Sequence, residues 1–381
     1  MSDKLEPVSL HNGSNAEYKA PQLTESTWLN FCSNPRLRQF VFALTAAVNL
    51  VPIGSVLGEE HSNVTNALLN TSFTNSQPLE SSKESLSEIT TKIERVIQEA
   101  EKATNIIRDY RVKNGIKFVK SDTTGWIGPE DSSITSIPGN YDKKEKTTNV
   151  QLAGKILSMM IALDLKENDH VTISTTGSNP PVYVYTRLAL KQLGIKSTTI
   201  MSVASSQFGA THPKLPITKM EEILVQAKMF DGKSVAASLG GKDDIGADVR
   251  KPELLSQAIR DAHIPFIETF TREGQDARKT AIDERMKIYG DLSQIKIHIN
   301  VGGGLIAVGD KDGFRLPFGV INPHSSEYAK INWNDYQDCV VVRMLKAGVT
   351  VVNLRHIDGN NMDMLALKSS APAVNSVSVI K

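Results

Sequence analysis

Between residues 149 and 354 short β-branched runs alternate with amphipathic segments of ten or more residues, and that alternation limits the fold more than any other feature of the chain. Strands are expected at 171–174, 198–204, 235–239, 265–268, 295–301 and 349–354. Helices are expected at 149–163, 182–193, 218–229, 252–262, 276–289 and 336–346. Successive parallel strands need a crossover about a dozen residues long, which a helix supplies. The pattern therefore specifies an α/β fold, a Rossmann-like parallel sheet with helices on both faces.

Ligands of such sheets bind outside the carboxyl ends of the strands, where the strand order reverses. The turn after each expected strand is therefore the informative part of the chain. The first strand leads into Thr175-Thr176-Gly177-Ser178-Asn179 and a helix opened by Pro180 and Pro181, residues suited to the first helical positions. The second leads into Ser205-Ser206-Gln207-Phe208-Gly209, the third into Gly240-Gly241-Lys242-Asp243-Asp244, the fourth into Glu268-Thr269 and the fifth into Gly302-Gly303-Gly304. Glycine alone would serve only to turn a short loop. The hydroxyl, amide and charged groups among these glycines point further, to a ligand-binding rim of Thr176, Gly177, Ser178, Ser205, Ser206, Gln207, Gly240, Gly241, Lys242, Gly302 and Gly303. A strand that ends in a glycine-bearing turn against a helix N-terminus favours an anion.

Familiar signatures fail on inspection. Gly232-Lys233-Ser234 resembles the end of a phosphate-binding loop, but Ala227 stands where the pattern needs glycine, and the triplet precedes a strand instead of following one. The dinucleotide fingerprint is absent after the first strand, so no cofactor is expected. Ser178 sits at a strand-to-helix turn, yet a nucleophile elbow needs glycine where this chain has Thr176 and Pro180. Were the chain an enzyme, the residues to test would be Ser178, Asp243 and His356, as nucleophile, carboxylate and base. Asp243 and Asp244 suit a carboxylate pair for metal or general-base work, but adjacent loop carboxylates read first as a solvated turn, and His298, inside a strand, reads as a core residue. The two cysteines, Cys32 and Cys339, lack companions at ligand spacing, so no metal site is expected.

Ahead of the alternating region the chain changes character. Residues 1–39 are polar and aperiodic, a disordered tail. Phe40 to Leu57 carries no charge, at the lower edge of what spans a bilayer. Arg36 and Arg38 before it, against Glu59 and Glu60 after it, put the N-terminus on the cytoplasmic side and the α/β domain outside, in a single-pass cell-membrane protein. A cleaved signal or a buried helix are the alternatives. Residues 58–80 read as a linker. A capping box at Ser81 and Glu84 then opens a helix to residue 114, with Leu86, Ile89, Ile93, Val96, Ala100, Ala103, Ile107 and Tyr110 at heptad spacing. Such a seam either pairs two copies through residues 86–110 or packs on the chain's own domain, which runs from 115 to 381. Within residues 121–146, read as a loop, Trp126, Ile127 and Ile134 are expected to tuck against that domain. A net charge of +1 gives no bias toward nucleic acid.

The blocks IGPEDSSITSIPG, TTGSNPPVYV, SSQFGATHPKLP, KSVAASLGGKDDIGADV, HINVGGGLIAVG and GVTVVNLRHIDG, in this order, resemble the bacterial poly-γ-glutamate system protein family. The likeness spans residues 82 to 365 and is most specific at Gly209, Gly240-Gly241 and Gly302-Gly303. It implies a membrane-anchored accessory part in making or exporting poly-γ-glutamate, with that polymer or another carboxylate as ligand and synthase subunits as partners. It brings no catalytic residues. A γ-glutamyl amide hydrolase or transferase, and a soluble small-anion or nucleotide-binding domain, are the alternative functions.

Overall fold

The computed structural model describes residues 86–269, 274–310, 315–355 and 357. The tail, the apolar segment 40–57, the linker, the capping box and His356 lie outside the described residues. Among those described, no helix is long and apolar enough to cross a membrane.

Among the described residues six strands form one sheet: β1 (His170–Thr176), β2 (Ser197–Ser202), β3 (Ala236–Ser238), β4 (Ile295–Val301), β5 (Gly319–Ile321) and β6 (Thr350–Asn353), in the order β3-β2-β1-β4-β6-β5. Five run parallel, with Ile173 level with Thr199 on one side and Ile299 on the other. The fold is therefore α/β, but the sheet is mixed, because β5 pairs antiparallel with β6. This strand comes from the Gly- and Pro-rich excursion after β4. Pro317 and Pro323 confine it to three residues, and proline is tolerated at a sheet edge, where a missing N–H costs no ladder bond. The strand expected at 265–268 is reduced to one bridge, Phe266 to Ala237. Pro265 there has no N–H to donate and only accepts, from Ala237 N at 2.8 Å.

Helices cover both faces. On one lie α1 (Leu86–Lys113), α3 (Gln151–Ala162), α4 (Pro180–Gln192), α5 (Ile217–Gln226) and α6 (Pro252–Asp261), with Val171, Ile173, Met201, Ile297, Ile299 and Val301 beneath them. The other carries α7 (Gly274–Tyr289), α8 (Leu305–Val308) and α9 (Val340–Lys346), over Ile200, Ile295, Val349 and Val351. A short helix missed by periodicity, α2 (Tyr141–Lys146), is capped by Asn140, which accepts from Lys143 N. Strand β1 alternates: Val171 and Ile173 enter the first core, while Thr172 and Ser174 point the other way and are satisfied by His298 Nδ1 and Tyr289 Oη, each at 2.9 Å.

The heptad face of α1 turns inward. Ile89, Ile93, Val96, Ala100, Ala103 and Ile107 are all buried in the first core, on helices α3, α4 and α5. The face that a second copy would use is therefore occupied by the chain itself. Helix α3 packs closely on this face, since a Cβ on its Gly154 would sit 3.0 Å from Ile97 and 3.1 Å from Ile93. At the end of α1 the buried Arg111 donates to Gly125 O and Ile127 O, and Asp122 gathers the amides of Thr124, Gly125 and Ile127. This cage fixes the following loop, and Trp126, Ile127 and Ile134 are buried as expected.

Candidate functional site

The strand order places the reversal between β1 and β4. From β1 the chain steps outward through β2 to β3, and then returns across the sheet to β4. The turns after these two strands are consequently neighbours. Gly302 has φ +101°, and a Cβ there would collide with Thr176 Oγ1. Asn300 Nδ2 locks the turn by donating to Gly302 O and to Asn353 Oδ1, each at 2.9 Å. On the far side the guanidinium of Arg355 lies over Gly303, with Nε 3.1 Å from where a Cβ would stand. Arg355 is buried, and desolvation lowers its pKa from the ordinary value.

The turn after β1 uses much of its own donor capacity. Gly177 N donates to Ser202 O at 3.0 Å and Ser178 N to Thr176 Oγ1 at 3.2 Å. Pro180 and Pro181 have no N–H to offer at the start of α4. The helix N-terminus expected to face an anion is thus a poorer donor site than the strand–turn–helix pattern alone implies.

The turn after β2 folds onto the one after β1. Ala210 N and Ser205 Oγ both donate to Gly177 O, at 2.8 and 2.9 Å, and Ser206 N donates to Ser178 Oγ at 3.0 Å. Gly209 has no room for a side chain, because a Cβ would meet Ser205 Oγ and the carbonyls of Gly177 and Ser178. The loop after α1 lies along this turn: Gly128 N donates to Gly209 O, Ser136 N to Ser205 O, and Gly139 N to Gln207 Oε1. Gln207 therefore holds the covering loop, with its carbonyl oxygen already in use.

That loop delivers a residue that sequence reasoning missed. Lys144 of α2 reaches over both turns, with Nζ 2.7 Å from Ser178 O, 2.7 Å from Ser206 Oγ and 3.4 Å from Ser206 O. Burial with no carboxylate beside it brings its pKa down to about 7. Its run, Lys143-Lys144-Glu145-Lys146, reads as a solvated charge cluster. Only the Asn140 cap hints that the run is helical, and so presents one lysine inward.

The turn after β3 is built differently. Gly240 and Gly241 take φ of +73° and +68°, and Asp243 and Asp244 are also left-handed. Lys242 is exposed, while its amide donates to Asp248 Oδ1 at 2.6 Å. Asp243 pairs with Arg278 Nε at 2.5 Å, and Asp244 with Arg285 at 2.9 and 3.1 Å and with Ser238 Oγ at 2.8 Å. The two carboxylates are neither a solvated turn nor a metal pair but two arginine partners holding α7 to the sheet. Among the described residues no cluster of His, Cys, Asp or Glu could hold a metal ion.

The structure thus brings Thr176, Gly177, Ser178, Ser205, Ser206, Gln207, Gly302 and Gly303 together, with Gly240 adjacent, since a Cβ on Gly240 would meet Ser202 and Ala204. Lys242 points to solvent, and Asp243 is committed to Arg278. At the opposite, amino ends of β1 and β4 a cleft of about 450 Å3 is lined by Asn168–His170 and Ser293–Lys296, with one hydroxyl, Ser293, and one amine, Lys296. Comparison with family models, with curated proteins and with solved structures finds no match.

Proposed function

We propose that this chain is the membrane-anchored accessory component of a poly-γ-glutamate biosynthesis or export system, and that it binds γ-glutamyl carboxylates in the crevice between the turns after β1 and β4. The observation that carries the reading is Arg355 over Gly303. A fork of N–H donors stands at the reversal point of an α/β sheet, where ligands of this architecture bind, and a guanidinium matches a carboxylate two bonds at a time. The blocks that resemble the poly-γ-glutamate family, TTGSN and VGGG, are the two that follow β1 and β4, the neighbouring strands at this reversal. Residues 40–57 supply the single membrane segment in this reading, with the N-terminus cytoplasmic and the domain outside among the synthase subunits and the nascent chain.

The test is calorimetric titration of the detergent-solubilised full chain with γ-linked glutamate oligomers, with α-linked oligomers of equal length as control. Binding that prefers the γ-linkage and weakens about 10- to 100-fold in Arg355→Lys is expected, the loss of one charge-assisted fork. Absence of binding, together with unchanged polymer output when the gene is deleted, would overturn the reading.

A further inference from the structure

Lys144 and Ser206 meet in a geometry that binding alone does not need. A neutral amine has two N–H donors and one lone pair. Around Nζ, two backbone carbonyls and one hydroxyl are within reach: Ser178 O and Ser206 Oγ at 2.7 Å and Ser206 O at 3.4 Å. As an ammonium Lys144 donates to all three, Ser178 O, Ser206 Oγ and Ser206 O; on losing a proton it keeps its two N–H bonds for the carbonyls, which can only accept, and turns its lone pair to the Ser206 hydroxyl, the one group of the three that can donate.

We propose that Ser206 and Lys144 form an acyl-transfer dyad, with Ser206 as nucleophile and Lys144 as general base, acting on carboxylic amides or esters. Nucleophile and base are already within hydrogen-bond reach, which is the geometric requirement for this chemistry. Ser206 is buried at 8% exposure, while Ser178 and Gln207 beside it are half-exposed, so the hydroxyl stands at the edge of an approachable surface. Ser205 is excluded from the role, because its hydroxyl is committed to the carbonyls of Gly177 and Ser206. Ser178, the nucleophile the sequence suggested, instead accepts from Ser206 N and holds the nucleophile's backbone.

The steps balance on these two residues. Lys144 Nζ takes the Ser206 proton as the bond from Oγ to the acyl carbon forms. The bond from that carbon to the leaving nitrogen or oxygen then breaks, and the leaving group takes the proton from Lys144. Water attacks the acyl-serine, Lys144 receives its proton, and the carboxylic acid departs as the proton returns to Ser206. An amine in place of water gives transfer instead of hydrolysis.

Lys144 is also placed to work near neutrality, where a base of pKa about 7 is half free amine. The turns packed against it, Thr176–Asn179 and Ser205–Gly209, carry no titratable side chain. On its own helix, Glu145 is engaged by Tyr141 and Ser121, while Asp142, Lys143 and Lys146 complete the charged set. Lys120 caps the Tyr141 and Phe208 rings alongside.

The experiment uses the detergent-solubilised full chain and a fluorophosphonate probe, which a base-activated serine attacks with loss of fluoride. It needs no polymer, so its outcome and that of the γ-glutamate titration are independent. Peptide mapping is expected to place the adduct on Ser206, with a rate that rises through pH 7 and levels off above it. Lys144→Met and Lys144→Arg, both checked for folding by circular dichroism, are expected to slow labelling by about 100-fold or more, the usual share of a general base. If Lys144 only ties the two turns, Lys144→Arg keeps that tie and the labelling rate stays unchanged. That result, an adduct on Ser178 or Ser205, or no adduct on folded wild type between pH 6 and 9, would overturn the proposal.

Discussion

Asp244→Ala separates a structural carboxylate from a catalytic one. Asp244 is 1% exposed and Arg285 3%, and the pair meets at 2.9 Å with a second contact at 3.1 Å. Removing the carboxylate leaves the Arg285 guanidinium among Ser202 Oγ, Ser238 Oγ and Ala281 O, which are neutral acceptors only. An uncompensated buried charge of this kind costs about 3–5 kcal/mol. At roughly 2–4 °C per kcal/mol for a domain of this size, the melting temperature falls by about 6–20 °C. Thermal and urea unfolding followed by circular dichroism reads the loss. Asp244→Ala combined with Arg285→Met removes both charges, so most of the lost stability is expected to return. A single variant within about 1 kcal/mol of wild type, the spread of ordinary surface changes, would refute the account of this turn as a clamp on α7.

Other perturbations read other parts of the molecule. Gly302→Ala places a Cβ on Thr176 Oγ1 at φ +101°, so it is expected to weaken γ-glutamate binding; Thr176→Ala on that background removes the collision but not the backbone strain, and titration should show partial recovery. Ile107→Ala, at a fully buried seam position, is expected to cost about 2–5 kcal/mol in urea unfolding while sedimentation shows the same oligomeric state as wild type. His298 is buried neutral beside Thr172 and Tyr289, with its pKa lowered from 6.5 to about 3 by desolvation. The unfolded chain therefore binds the extra proton between those values, so the stability His298 contributes is complete above pH 6.5 and is lost on acidification. About 2 kcal/mol should disappear between pH 6.5 and 5, and His298→Gln should flatten that part of the profile.

How far the sequence foretells this molecule depends on how local the determining physics is. The β1 and β4 segments are legible because β-branched runs end at glycines, and His298 is legible as a core residue because its neighbours in the strand are apolar. The heptad seam of α1 is legible as a face, but not as to what covers it, since the covering residues in α3, α4 and α5 lie tens of positions away. Strand β5 is only three residues long, too short for any period to show. The arginine partners of Asp243 and Asp244 sit 35 and 41 residues further on, so a sequence shows the acids and hides their neutralisation. The same holds for Lys144: its partners at Ser178 and Ser206 are 34 and 62 residues distant, and the charged run around it gives no sign of burial.

The central claim is that the carboxyl ends of β1, β2 and β4 form the working end of this chain. Amide chemical-shift mapping during titration with a γ-linked glutamate pentamer tests it directly. Shifts confined to Thr176–Asn179, Ser205–Gln207, Gly302–Gly304 and Arg355 are expected. Shifts centred instead on Asn168–His170 and Ser293–Lys296, at the amino ends of the strands, would contradict it.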